Sequence, residues 1–216
     1  MLYKNLAMQK NLATHKIASH FIFNVLAALK NLVAKKETDK SIFYIERFSE
    51  LFSPLVDNEG KLFRPLKAEI DFITNYLELE KLRFTNRFTY QINVAPSVDE
   101  NIYVPAMVIH SFVNNAVKYG IEFLERDGKI SVNFFQEGHF LSVEITDNGK
   151  GFDEIAAIQK ASIDGKREGK GIKTVQDIFA FLNKQHPIPS NIQEIRSSSN
   201  GTTVVLSIYT KYPPKL

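Results

Sequence analysis

The sequence predicts an α+β fold, a helical hairpin followed by a unit that mixes helices with strands. Three observations predict it. Residues 2–35 contain no Gly or Pro, and Ile22, Val25, Leu26, Leu29, Leu32 and Val33 recur at helical spacing. Asp57-Asn58-Glu59-Gly60 then breaks the pattern. From Phe88 the apolar period shifts toward two, as a strand requires.

The elements follow in order. Lys35-Lys36-Glu37-Thr38-Asp39 is a short polar connection, and Ile42, Ile45, Phe48, Phe52 and Leu55 form a second stripe. Two helices joined this way make an antiparallel hairpin. A lone hairpin cannot bury both stripes, so a second copy is expected to complete a four-helix bundle. Pro65 suits the first turn of a helix that runs to about Arg83. Phe88–Val94 is a strand, and Pro105 opens a helix through Val117. Lys129–Phe135 and Phe140–Thr146 form a hairpin around Glu137-Gly138. Ala156–Gly169 is polar and reads as a mobile loop, and Ile172–Leu182 as a helix. Ile192–Arg196 and Thr203–Tyr209 are strands joined at Asn200-Gly201. The organisation is a hairpin over 1–60, a connecting helix over 61–87 and a third unit over 88–216.

Composition narrows the function classes. Of 216 residues, 44% are hydrophobic, including 17 Phe and 8 Tyr, which is ample for a packed core. A net charge of +3, spread along the chain, does not point to nucleic acid. With no cysteine, disulfides and thiol catalysis are excluded. No apolar run approaches the roughly 18 residues that span a bilayer, and the first residues lack signal-peptide order, so the chain reads as soluble.

Three motifs carry candidate chemistry. Asp147-Asn148-Gly149-Lys150-Gly151 places a carboxylate at a strand end, where it can accept from an exocyclic amine. Its glycines let a flat base approach bare backbone; Asp-Asn-Gly is also an ordinary turn. Asn115 offers Mg²⁺ a hard oxygen ligand, and Lys118, three residues on, reaches toward a phosphate. The plain alternative is a solvated helix face ended by Gly120 as a C-cap. Glu168-Gly169-Lys170-Gly171-Ile172 precedes a helix, whose N-terminal N–H groups favour an anion.

The order of Asn helix, hairpin, Asp-x-Gly-x-Gly, polar lid, Gly-x-Gly helix and Asn200-Gly201-Thr202-Thr203 resembles the Bergerat-type ATP-binding fold of gyrase B and histidine kinases. His20-Phe21-Ile22-Phe23-Asn24, Tyr76-Leu77-Glu78-Leu79-Glu80-Lys81-Leu82-Arg83-Phe84 and Val104-Pro105-Ala106-Met107-Val108-Ile109 look like sensor kinases of the LytS type. The resemblance covers about Met8 to Tyr209. It implies a two-layer α/β sandwich behind the hairpin, with ATP and Mg²⁺ as cofactors. His20 would accept the phosphoryl group and Asn115 would hold Mg²⁺. Lys118 and Tyr119 would face the nucleotide, and Asp147 would read the adenine amine. Gly149 and Gly151 would shape the adenine pocket. Gly169, Lys170 and Gly171 would close over the phosphates, and Thr203 would support Asp147. The partners implied are a second copy, giving a homodimer, and the receiver domain of a response regulator, with no direct nucleic acid. The implied location is cytoplasmic, with the membrane reached only through an upstream sensor segment in a longer parent.

At about 100° per residue, His20 lies about 160° from Ile22, on the polar face with Lys16, Asn24 and Asn31. Asn24, one turn on, is the candidate that fixes its tautomer. Two departures stand out. Ala18-Ser19 replaces the family's Asn-Pro, and neutral Asn114 stands where the family has an acidic residue. Slow autophosphorylation is therefore expected, with a non-catalytic, dimeric nucleotide-binding regulator as the alternative. A serine kinase in the manner of anti-sigma factors would not need the histidine hairpin. His15, His110, His139 and His186 match no metal-site spacing, and Phe134, Phe135, Phe179 and Phe181 read as core.

Overall fold

The computed structural model describes residues 21–57, 62–124, 127–151, 170–184 and 189–211. Helix α1 covers 21–34 and α2 covers Thr38–Asp57, so the polar connection falls where its composition places it. Val25, Leu29 and Leu32 are buried, whereas Leu26 and Val33 are exposed. On α2, Leu51 is buried, Phe48 and Phe52 pack against the core, and Ile42 and Ile45 are exposed. The two stripes are thus only half covered within one chain.

Strand β1 (Phe63–Pro65) pairs antiparallel with β3 (Tyr103–Pro105). Between them lie α3 (Leu66–Arg83) and β2 (Phe88–Val94). Pro65 is expected in the first turn of this helix; instead it ends β1 and stands, in extended conformation, immediately before α3 begins at Leu66. Helix α3 is buried on several sides, through Phe72, Ile73, Tyr76, Leu77 and Leu79. It packs between α2 and the next helix, α4 (Val108–Asn115), so the segment read as a connector shares one core with the unit after it.

The expectation that Pro105 opens a helix is corrected. Pro105 ends β3, and α4 begins at Val108, after a left-handed Met107 at φ 68°. The N-terminal amides of α4 are capped from a distance. Glu69 on α3 accepts from the Met107 N–H at 3.2 Å and from the His110 N–H at 3.3 Å. Glu69 is wholly buried and ion-paired with Arg64, whose guanidinium lies 4.6 Å from the centroid of the Phe72 ring. A buried carboxylate with this many donors is satisfied.

A single turn of π-helix (Ala116–Ile121) continues α4. Strands β4 (Gly128–Glu137) and β5 (Phe140–Asp147) form the expected hairpin. Helix α5 covers Lys170–Asn183, and β6 (Asn191–Ser198) and β7 (Gly201–Tyr209) close the chain as a second hairpin. The five-stranded sheet has the order β2-β4-β5-β7-β6, with β2 and β4 parallel and the other pairs antiparallel. Every second residue of β5 is buried, as a strand covered on one face requires. On β4, Phe134 is buried but its neighbour Phe135 is 52% exposed. The core reading of Phe135 is corrected by the two-residue period of a strand, which sends adjacent side chains to opposite faces. Phe179 is buried and Phe181 packs at the margin of the core, as read from sequence, and His110 is also buried. The proposed mobile loop at 156–169 lies outside the described residues.

Candidate nucleotide site

Asp147 is the last residue of β5 and is 7% exposed. Its Oδ1 accepts the Gly149 N–H at 2.9 Å, which makes the Asp-Asn-Gly segment a tight turn. Burial pushes the carboxyl up to about 6, and backbone hydrogen bonds from Gly149 and Thr202 oppose that push. At neutral pH it is ionised and retains acceptor capacity.

The turn is held from three sides. Asn148 accepts the Lys129 N–H at 2.7 Å, and its amide donates to the Asp127 carbonyl at 3.1 Å. The π-turn lies against the carboxylate. A Cβ on Gly120 would sit 2.6 Å from Asp147 Oδ1, and a Cβ on Gly149 would overlap the Gly120 backbone. Gly120 is therefore no C-cap: it lies inside the π-turn, where only a bare backbone fits beside Asp147. From the third side β7 pairs with β5, Asp147 opposite Thr202 and Thr146 opposite Thr203. The Thr203 hydroxyl lies 3.0 Å from the Thr146 hydroxyl. The last strand backs Asp147 through the Thr202 backbone, one residue before the position the sequence suggests.

The other described candidates are spread over this turn, the end of α4 with the π-turn after it, and the start of α5. Gly149 and Gly151 both sit against protein backbone: a Cβ on Gly151, at φ 73°, would run into the Ser198 carbonyl. Asn115 ends α4, half-buried, immediately before the π-turn that meets Asp147. Lys118 and Tyr119 lie within that turn. The widened π geometry displaces Lys118 from the α-helical face expected for it. Its ammonium donates to the Tyr119 hydroxyl at 2.9 Å and lies 4.6 Å from the ring centroid. Lys170 and Gly171 form the start of α5. His20 and Gly169 lie outside the described residues, and Asn24 is half-buried on α1. Asn114 accepts a hydrogen bond from the Tyr76 hydroxyl at 2.9 Å.

The donor set suits a nucleotide carrying its own metal. Asp147 is an acceptor walled by backbone, the kind of group that an exocyclic amine satisfies. Asn115 offers one hard oxygen, sufficient for a Mg²⁺ that arrives on phosphates and keeps most of its waters.

A family model described as "Histidine kinase" matches residues 8–88. The chain is 26% identical over 191 residues to the sensor protein LytS of Streptococcus agalactiae, an alignment covering 88% of this chain and 32% of LytS. It is 29% identical over 134 residues to the sensor histidine kinase BtsS of Escherichia coli, covering 62% of this chain and 23% of BtsS. The chain is similar to the LytS-type sensor histidine kinases. It spans about a third or less of the length of these LytS-type relatives. Solved structures similar to it include the histidine kinase domain of the Erythrobacter litoralis EL346 blue-light activated histidine kinase, at 16% identity and a TM-score of 0.48 over 96% of both chains. The Acinetobacter baumannii histidine kinase AdeS is similar at 14% identity and a TM-score of 0.48, over 92% of this chain and 98% of that one. No helix among the described residues is long and apolar enough to cross a membrane.

The residues that sequence reasoning missed are Gly120, Asn148, Gly201 and Thr202. Gly120, Gly201 and Thr202 act on Asp147 through backbone, and Asn148 holds the turn through its side-chain amide. A Cβ on Gly201 would overlap the Asp147 carbonyl. The hairpin signal at Asn200-Gly201 located that glycine without revealing what it faces.

Proposed function

We propose that the chain is the core of a two-component sensor histidine kinase that phosphorylates His20 from ATP and passes the phosphoryl group to a response-regulator aspartate. The observation that carries this reading is the buried Asp147 carboxylate with Gly120, in the π-turn that follows Asn115, packed against it. The relatives at LytS and BtsS support it.

The roles follow from the chemistry. Asp147 accepts from the adenine amine and fixes the base. Asn115 holds Mg²⁺, Lys118 meets phosphate, and Tyr119 flanks the site. Gly149 and Gly151 keep the turn close to the base, while Gly169, Lys170 and Gly171 close over the phosphates at the start of α5. ATP would supply the phosphoryl group, and Mg²⁺ held at Asn115 would neutralise charge on the phosphates. His20 would attack the γ-phosphorus with the lone pair of its neutral imidazole as the bond from phosphorus to the β,γ-bridging oxygen breaks and ADP leaves. Asn24 holds the other ring nitrogen in the matching tautomer. Most of the catalysis is alignment and charge neutralisation. The hairpin dimerises: Phe23 is 71% exposed and Val33 60%, together with Leu26, Ile42 and Ile45, an apolar surface that a second copy covers.

Incubation with γ-labelled ATP and Mg²⁺ tests the reading. Acid-labile phosphate on His20, absent from His20→Gln, is the expected result. No label on the parent chain, together with no nucleotide affinity, overturns it. The second reading, a nucleotide-binding regulator without kinase activity, is favoured by one observation: position 114 carries an amide engaged with Tyr76 in place of a carboxylate.

A further inference from the structure

We propose that Tyr76 is a positioning residue for phosphoryl transfer, tying helix α1, whose first described residue follows His20 in the chain, to the helix end that carries Asn114 and Asn115. The inference rests on the kinase reading above. Three contacts carry it. The Phe21 ring packs on the Tyr76 ring with centroids 5.4 Å apart, and Phe21 follows His20 in the chain. The Tyr76 hydroxyl donates to Asn114 Oδ1 at 2.9 Å, and Asn114 precedes Asn115. His110, one turn earlier on α4, meets the same ring edge-on at 4.7 Å.

One side chain therefore touches the neighbour of the phosphoacceptor and the neighbour of the metal ligand. Tyr76 is 3% exposed. Burial and the nearby Glu80 carboxylate hold its hydroxyl pKa well above the ordinary phenol value, so it stays protonated and remains a donor. Glu80 is itself buried and ion-paired with Arg83. The ring is clamped between Phe21 and His110, and its hydroxyl fixes the direction of the Asn114 side chain. This path runs within one subunit. Phosphoryl transfer depends on alignment, and a misplacement of about 1 Å can cost about a hundredfold in rate. The Tyr76 hydroxyl is placed where a small rotation of α1 relative to α4 would be resisted.

The test uses the whole chain with Tyr76→Phe, Asn114→Ala and the double variant. Thermal unfolding, affinity for a fluorescent nonhydrolysable ATP analogue, and kcat and KM for autophosphorylation are measured. Tyr76→Phe keeps the ring contacts and loses the hydroxyl's bond to Asn114 together with its hydrogen bond to Glu80. Its expected behaviour is unchanged analogue affinity and KM with kcat lowered about tenfold. Asn114→Ala lowers kcat similarly, and the double variant falls no further than either single change, because both remove the same link. A Tyr76→Phe kcat equal to the parent's overturns the inference. So do losses that multiply in the double variant, or a loss confined to KM and unfolding temperature. A parent chain that takes no phosphate from ATP overturns the kinase reading and this inference with it. A normally phosphorylated parent beside an equally fast Tyr76→Phe overturns the inference alone.

Discussion

A Cβ at position 120 would lie 2.6 Å from Asp147 Oδ1, so the π-turn and the acidic turn meet at a point that only glycine permits. Gly120→Ala is accordingly expected to push the two apart. Overpacking of this kind costs about 1–3 kcal/mol. The urea midpoint should fall, and affinity for an ATP analogue should fall with it. A variant with the parent's midpoint and affinity contradicts the packing described.

Asp147→Asn should separate stability from binding. Burial raises this carboxyl from an ordinary 3.8 to about 6, so its ionised form opposes folding. The stability contributed by the neutral form is present below about pH 4 and is lost as pH rises through about 6. The difference corresponds to about 3 kcal/mol at neutral pH. Asparagine keeps an oxygen for the Gly149 N–H and carries no charge. Its unfolding temperature at pH 7.5 should match or exceed the parent's, while nucleotide affinity collapses. A destabilised Asn variant contradicts the sign.

The same carboxyl predicts a pH profile for binding. The adenine amine needs the ionised acceptor, so analogue affinity in the parent should fall as pH drops through about 6. In Asp147→Asn that inflection should vanish. Titration of analogue fluorescence between mildly acidic and neutral pH reads both.

Glu69→Gln should be more damaging than Glu69→Gln combined with Arg64→Met. The single change leaves the buried Arg64 guanidinium without its counter-charge, and breaking a buried pair costs about 3–5 kcal/mol. The combined change removes the stranded charge and keeps an amide oxygen for the α4 amides. Denaturant midpoints of the two variants decide it, and a double variant less stable than the single one contradicts the assignment.

Asn114→Glu should speed autophosphorylation. General-base catalysis is typically worth about 10²–10⁴-fold, and a carboxylate at this position still accepts from Tyr76. An initial rate unchanged or lowered removes the attribution of slow turnover to Asn114.

The hairpins were legible because their turns are written locally, at Glu137-Gly138 and Asn200-Gly201. The long helices were legible from their stripes. What escaped was built from residues far apart in sequence. Strand β3 is three residues long and its partner β1 lies some 40 positions earlier, so nothing beside Pro105 marks it as a strand end. The cap of α4 is Glu69 on another helix, where a local reading looks for Ser, Asp or Asn next to the first turn. Asp147 and Asn115 were readable as residue types in order. The glycine contacts that enclose Asp147 depend on which backbones meet, and no spacing within the sequence records that.

The Glu69 cap has a mechanical consequence. A shift of α3 that left α4 behind would strip two amide groups of their acceptor and strand a guanidinium in the interior. Torque applied at one end of α3 is therefore borne by the rod that finishes at Asn115, like a shaft keyed to its wheel.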